Sequence, residues 1–175
     1  NYLNDIIKLN NNYGKNKSNH KKVLIEFVSA NPTGPLTVGH GRGAILGDTL
    51  SNIFEWNGYE VEREYYYNNA GRQMRILGDS VKARYLDLIG EKGEFPEDGY
   101  QGDYIHEIAK QLLEIHGHSL KEKNEIFKEF SEKFIFDNIR NTLKNIGIIF
   151  DSFFNENTLY ENKDIYKIID ALDKK

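Results

Sequence analysis

Apolar residues first gather over residues 23–29, VLIEFVS, a short, continuous, β-branched run of the kind that forms a strand covered on both faces. Upstream, residues 10–22, NNNYGKNKSNHKK, are polar and without apolar period and read as a mobile connector. Leu3, Ile6, Ile7 and Leu9 are spaced as the tail of a helix belonging to something further upstream. After a stretch containing Pro32, Gly34, Pro35 and Gly39, residues 43–56 place Leu46, Leu50, Ile53 and Phe54 on one side at helical spacing. Asn57-Gly58 suits the helix end, because both residues tolerate the left-handed conformation of a C-terminal cap. Residues 59–67 then alternate, with Val61, Arg63, Tyr65 and Tyr67 against Glu60, Glu62, Glu64 and Tyr66. Strand, glycine-rich turn, helix, strand is a βαβ crossover, which requires parallel pairing; the pattern therefore predicts an α/β, Rossmann-like parallel sheet.

The rest of the chain reads as mainly helical. Met74, Leu77, Val81, Tyr85 and Leu88 form one stripe, and Ile105, Ile108, Leu112 and Leu113 another, with a turn-rich loop between them. Ser119 with Glu122 three residues on predicts a capping box, opening a helix that carries Phe127, Phe130, Phe134, Leu143 and Ile146 until Gly147 stops it. Residues 148–154 predict a further strand, and Ile165, Ile168, Ile169 and Leu172 a last helix.

Composition narrows the classes. A chain of 175 residues with 39% hydrophobic content supports one core, and its lack of cysteine removes disulfides, thiolate metal sites and a cysteine nucleophile. A net charge of −4 is not the broad positive field of a protein that binds nucleic acid by charge alone. No run approaches the roughly 18 apolar residues of a membrane span, so a soluble, cytoplasmic protein without membrane contact is expected. His106, His116 and His118 lack the spacing of a zinc site, and no metal site is expected from them. The absent initial methionine and the uncapped last helix lead us to expect a piece of a longer protein.

Candidate chemistry concentrates in residues 31–43, NPTGPLTVGHGRG, between the first strand and the first helix. Ligands of open parallel sheets sit at the carboxyl ends of strands, where a helix start directs amide N–H groups and its positive dipole end at an anion. Gly39, Gly41 and Gly43 leave room for a phosphate or a flat base, and His40 supplies a donor into the same space. Glu26 is the single acid of an apolar strand; burial there would require dense hydrogen bonding or a cation, either within the protein, such as Arg42 or Arg63, or on a ligand. Tyr65, Tyr66 and Tyr67 read as sheet packing rather than as a base-stacking platform.

Residues 26–50, EFVSANPTGPLTVGHGRGAILGDTL, resemble the signature of bacterial arginyl-tRNA synthetases, a family of class I aminoacyl-tRNA synthetases. REYYYNNAGRQ (63–73), FPEDGYQGDYIHEIA (95–109) and FDSFFNENTLY (150–160) resemble later segments of that family in the same order, so the likeness runs from about Tyr13 to the end. The resemblance implies ATP-dependent activation of L-arginine, with Mg²⁺ in the substrate complex, and its transfer to tRNA(Arg) by a monomer. By it, Thr37 and His40 occupy the outer positions of the HIGH motif and are the implied catalytic pair, with threonine where the first histidine stands. Thr37, Gly39, His40, Gly41 and Gly43 are implied to bind ATP. Glu26, Ser29, Asn31, Asn69 and Gln73 are implied to bind arginine, Glu26 through its guanidinium, and Asn69 stands where aspartate is expected. The implied organisation is residues 1–22 as linker and tail of an upstream domain, 23–90 as the first half of the Rossmann catalytic domain, 91–147 as a helical insertion and 148–175 as a truncated continuation of the catalytic or insertion region. No KMSKS string is present, so this piece is expected not to charge tRNA by itself, with tRNA contacts lying mainly elsewhere. The alternative is a non-catalytic paralogue that binds nucleotide and amino acid; a small-molecule nucleotidyltransferase with a similar turn leaves FVSANPTGP unexplained.

Overall fold

Strands β1 (Lys22–Glu26), β2 (Glu60–Tyr67) and β3 (Ser152–Asn155) form one sheet in the order β1-β2-β3, with both pairings parallel. A computed structural model describes residues 2–120 and 124–174 of the chain. Lys22 pairs with Glu60 and Glu26 with Glu64, while Glu64 pairs with Ser152 and Tyr67 with Asn155, so all three carboxyl ends lie at one edge. The intervening helix α2 (Val38–Trp56) completes the expected βαβ unit.

Two features of that unit correct the sequence reading. β1 is not covered on both faces: Val23 and Ile25 are half-buried but Leu24 and Glu26 are exposed, because the described helices cover only one side of this edge strand. Likewise, α2 does not bury Leu46, Leu50 and Ile53, which are 69%, 42% and 54% exposed; it buries Ala44, Gly47 and Ser51. The reason is proximity. A Cβ on Gly47 would stand 2.2 Å from Phe27 Cγ, so the helix rests on the strand through its smallest side chains and its bulky stripe faces outward.

The connector is also not a free tether. Asn16 N–H donates to Trp56 O at 2.8 Å, Asn19 N–H to Gly58 O at 2.8 Å, and Glu60 N–H to Lys21 O at 2.9 Å. Gly58 sits at φ +84°, where a Cβ would meet Lys17 O at 2.1 Å, so glycine is required by conformation and by close approach alike.

Helices α1 (Tyr2–Leu9), α3 (Gly71–Leu88), α4 (Asp103–His116), α5 (Asn124–Asn145), α6 (Asn157–Glu161) and α7 (Asp164–Asp173) complete the fold. The α3 stripe buries Met74, Leu77, Val81 and Tyr85, leaving Leu88 exposed at the helix end, and α4 buries Ile105, Ile108 and Leu112. From α5, Phe127, Ile135, Ile139 and Leu143 join the same cluster, while Ile146 is exposed. Gly147 at φ +81° ends that helix as expected. Glu122 of the anticipated capping box lies outside the described residues; Ser119 Oγ donates to His116 O at 2.8 Å. The strand anticipated over residues 148–154 is shorter and later, because Ile148 and Phe150 are used as core residues before pairing begins. Tyr65 is the aromatic hub: fully buried, it packs edge-on against Phe136 and Phe150 and stacks on Phe153 at 5.3 Å. The apolar residues of α7, by contrast, stay largely exposed.

Candidate active site

At the carboxyl end of β1 the chain turns abruptly. Val28 and Ser29 take φ +64° and +47°, the left-handed region that a β-branched residue rarely occupies. β2 holds them there. Tyr66 N–H donates to Ser29 Oγ at 3.1 Å, and the Tyr65 hydroxyl donates to Ala30 O at 2.8 Å. Burial, the larger of the influences on it, pushes the Tyr65 hydroxyl up to about 12, so it remains a donor throughout the working pH range.

The next residue, Asn31, clasps two segments: its Oδ1 accepts from Asn68 N–H at 2.9 Å and its Nδ2 donates to Gln73 Oε1 at 3.2 Å. Ser29, Asn31 and Gln73 therefore lie close together, with Asn68 as a fourth member. Asn69 points elsewhere, its Nδ2 donating to Glu132 Oε1 of α5 at 2.7 Å.

The glycines of this region lie within the helix rather than in a loop, since α2 begins at Val38 and not at residue 43. None of Gly39, Gly41 and Gly43 has a positive φ. A Cβ on Gly41 or Gly43 would meet nothing within 4 Å, and one on Gly39 would meet only Thr37 Oγ1 at 3.6 Å. Neither conformation nor internal packing calls for glycine at these positions, in contrast to Gly47.

Thr37 is the N-cap of α2, and His40 takes the place that glutamate or glutamine holds in a capping box. Thr37 N–H donates to His40 Nδ1 at 3.0 Å, with Thr37 Oγ1 3.1 Å from the same nitrogen. An Nδ1 that accepts leaves the ring proton on Nε2, so the free edge of the imidazole offers an N–H donor. Gly41 N–H to Thr37 O, at 3.1 Å, starts the helical ladder, and the amides of Val38 and Gly39 precede it at the positive end of a 19-residue helix.

Glu26 is exposed, and its carboxylate makes no hydrogen bond or ion pair among the described residues. The burial argument for a partner therefore does not apply, and neither anticipated internal cation serves. Arg63 is committed to α2, bonding Glu55 through Nη1 at 2.7 Å and Nη2 at 3.2 Å, with Asn52 at 2.9 Å and Asp48 at 3.5 Å. Arg42 is exposed and unpaired among the described residues. Glu26 shares its face of the sheet with Tyr66, whose hydroxyl is pushed up by burial, then by its bond to Glu156, with a further contribution from the Glu26 charge.

Sequence reasoning missed Glu156, which follows β3 and accepts from the Tyr66 hydroxyl at 3.0 Å and from Asn68 Nδ2 at 2.8 Å. No local signal marks it: about 90 residues separate it from both donors, and only parallel pairing of β2 with β3 brings them together. Tyr104, whose hydroxyl donates to Thr33 O at 2.8 Å, was missed for the same reason.

The family model described as tRNA synthetases class I (R), catalytic domain, matches residues 2–175. An arginine–tRNA ligase of Desulfotalea psychrophila is 51% identical over 173 residues, covering 97% of this chain and 31% of that protein. One from Chlorobaculum parvum is 56% identical over 162 residues, covering 89% and 29%. A solved Campylobacter jejuni chain described as an arginyl tRNA synthetase superposes with a TM-score of 0.84 at 34% identity, covering 91% of this chain and 36% of that one. The chain thus spans about a third of the length of the curated relatives it matches. Among the described residues, no helix is long and apolar enough to cross a membrane.

Proposed function

The chain belongs to the catalytic-domain family of the class I arginyl-tRNA synthetases, and from that membership and the geometry of its β1–α2 turn we propose that it carries the ATP- and arginine-binding half of an arginine–tRNA ligase. The observation that bears most weight is the Thr37–His40 cap, which holds Nδ1 as an acceptor and leaves Nε2–H at a helix start bordered by glycines with open space before them.

In this reading ATP, as its Mg²⁺ complex, is substrate, its phosphates lying against the amides of residues 38–39 and the Nε2–H of His40. Gly39, Gly41 and Gly43 give the nucleotide room, and Thr37 acts chiefly by orienting His40. As the arginine carboxylate attacks the α-phosphorus, pyrophosphate leaves and negative charge builds on the transferring group. A fixed donor and a helix dipole stabilise that charge without reorganising.

Glu26 takes the guanidinium. An exposed, unpaired carboxylate at the end of β1 is free to form the paired hydrogen bonds that a planar guanidinium accommodates and a lysine ammonium cannot reproduce. Ser29 and Asn31 lie beside it on a backbone pinned by β2. Asn69, engaged by Glu132, acts only if that bond opens. Transfer to tRNA(Arg), a monomeric state and a cytoplasmic location belong to the same proposal, as does residues 91–147 being a helical insertion.

The test is pyrophosphate exchange into ATP by the full-length protein that carries this sequence, which should require arginine. Glu26→Gln should raise the KM for arginine by about 100-fold, the order for losing one partner of a charge pair, while moving the KM for ATP little. Normal arginine kinetics in that variant would remove the guanidinium contact. Binding of an arginyl-adenylate analogue without turnover in the unaltered protein would instead mark a non-catalytic paralogue.

A further inference from the structure

The segment joining β1 to α2 is held by two tyrosine hydroxyls from different parts of the fold. Tyr65 of β2 donates to Ala30 O and Tyr104, in the first turn of α4, donates to Thr33 O, each at 2.8 Å. Around Ala30 the support is dense, because Ser29 and Asn31 are also fixed by Tyr66 N–H, Asn68 N–H and Gln73. Over residues 32–36 Pro32 is buried and Leu36 packs on the core, but hydrogen-bonded support is sparse. Among the described residues, the Tyr104 bond is the one side-chain hydrogen bond that reaches them from outside the segment.

The Tyr104 ring is itself tightly seated. A Cβ on Gly34 would stand 3.1 Å from its hydroxyl oxygen and 3.3 Å from Cζ, and a Cβ on Gly102 would stand 2.5 Å from Cε1. Two glycines therefore form a slot that the ring fills, one on the segment and one at the N-cap of α4. Burial pushes the hydroxyl up to about 12, so it does not lose its proton in the working range.

We propose that Tyr104 is a positioning residue for the phosphate-binding end of the site: through the Thr33 carbonyl and the Gly34 backbone it sets where Thr37 and His40 stand. Ser29 and Asn31, fixed from β2 and α3, keep their places without it. The two tyrosines thus divide the segment, Tyr65 supporting the arginine half and Tyr104 the ATP half; this division rests on the function proposed above. A displacement of about 1 Å in a catalytic group costs on the order of 100-fold in rate, so the one side-chain hydrogen bond reaching a stretch otherwise seated by the packing of Pro32 and Leu36 has a measurable effect.

The experiment compares Tyr104→Phe with Tyr65→Phe in the full-length protein. Tyr104→Phe keeps the ring in its slot and removes only the hydroxyl. It should lower the kcat of arginine-dependent pyrophosphate exchange by about tenfold and raise the KM for ATP, while the KM for arginine stays within about twofold. Tyr65→Phe should raise the KM for arginine more than that for ATP. A purely structural support would reduce the folded fraction and leave both KM values alone, so unchanged KM values, or the two rising together in Tyr104→Phe, overturn the proposal. Amide hydrogen exchange supplies a readout that needs no activity: in Tyr104→Phe it should quicken over residues 33–41 and not over 26–31. If the unaltered protein shows no pyrophosphate exchange, the proposed function fails, and the hydrogen-exchange pattern alone decides for or against Tyr104.

Discussion

Replacing both Gly41 and Gly43 with alanine separates what the fold needs from what a nucleotide needs. Both lie inside α2, neither has a positive φ, and an added Cβ at either meets no atom within 4 Å beyond its own stretch of helix. Alanine is favoured over glycine in a helix interior by about 1 kcal/mol, through reduced backbone entropy in the unfolded chain. Two such changes with no steric penalty should stabilise the protein by about 1–2 kcal/mol. In a domain of this size each kcal/mol moves the thermal midpoint by about 2–4 °C, which places the double variant about 2–8 °C above the parent. The same two methyl groups would project into the space assigned to ATP, and the KM for ATP should rise by at least about tenfold, equivalent to roughly 1.4 kcal/mol of lost binding. Circular dichroism on heating gives the first quantity, and pyrophosphate exchange at varied ATP gives the second. A higher midpoint with unchanged ATP affinity would refute the claim that these glycines make room for the nucleotide. A lower midpoint would refute the claim that the protein itself does not require them.

Gly47→Ala should act in the opposite sense: its Cβ would stand 2.2 Å from Phe27 Cγ, and overpacking there should outweigh the gain in helix propensity by about 1–2 kcal/mol, read as a lower urea midpoint. A variant as stable as the parent would mean that α2 does not rest on β1 through this contact. The Glu55–Arg63 pair predicts a pH dependence. The Arg63 hydrogen bond, and then its charge, hold the Glu55 carboxyl below its ordinary value of 4.5 despite some opposing burial. The stability it contributes is therefore complete above about pH 4.5, the unfolded-state value, and is lost as pH falls through the lower folded value. The difference in denaturation midpoint between the parent and Glu55→Gln should accordingly shrink as pH is lowered below 4.5; a difference that stayed constant down to pH 3 would show that the ion pair contributes nothing to it.

His40 illustrates how a side chain can serve the fold and the site at once. By accepting Thr37 N–H it satisfies one of the amides that a helix start leaves without a partner, as a capping glutamate would. The same bond fixes the tautomer that the proposed chemistry needs. Threonine at position 37 is consistent with that arrangement: an N-cap favours a short hydroxyl side chain, and its backbone amide rather than a second imidazole sets the orientation of His40.

Period and turn chemistry determined the parallel βαβ unit and the α3 and α4 core stripes, and pointed to the β1–α2 turn as the candidate site, because these depend on neighbours a few residues apart in sequence. Tertiary structure alone decided which face of α2 is buried, for there the choice lay with the Phe27 ring, 20 positions upstream of Gly47, and close approach of a helix to a strand selects small residues over greasy ones. It also decided that Glu26 is exposed and that Arg63 belongs to Glu55, since an apolar run cannot report whether a strand lies at a sheet edge. Tyr65, Tyr104 and Glu156 joined the site for the same physical reason: hydrogen bonds spanning 35 to 90 residues leave no periodicity in the chain and exist only once β2, β3 and α4 have packed.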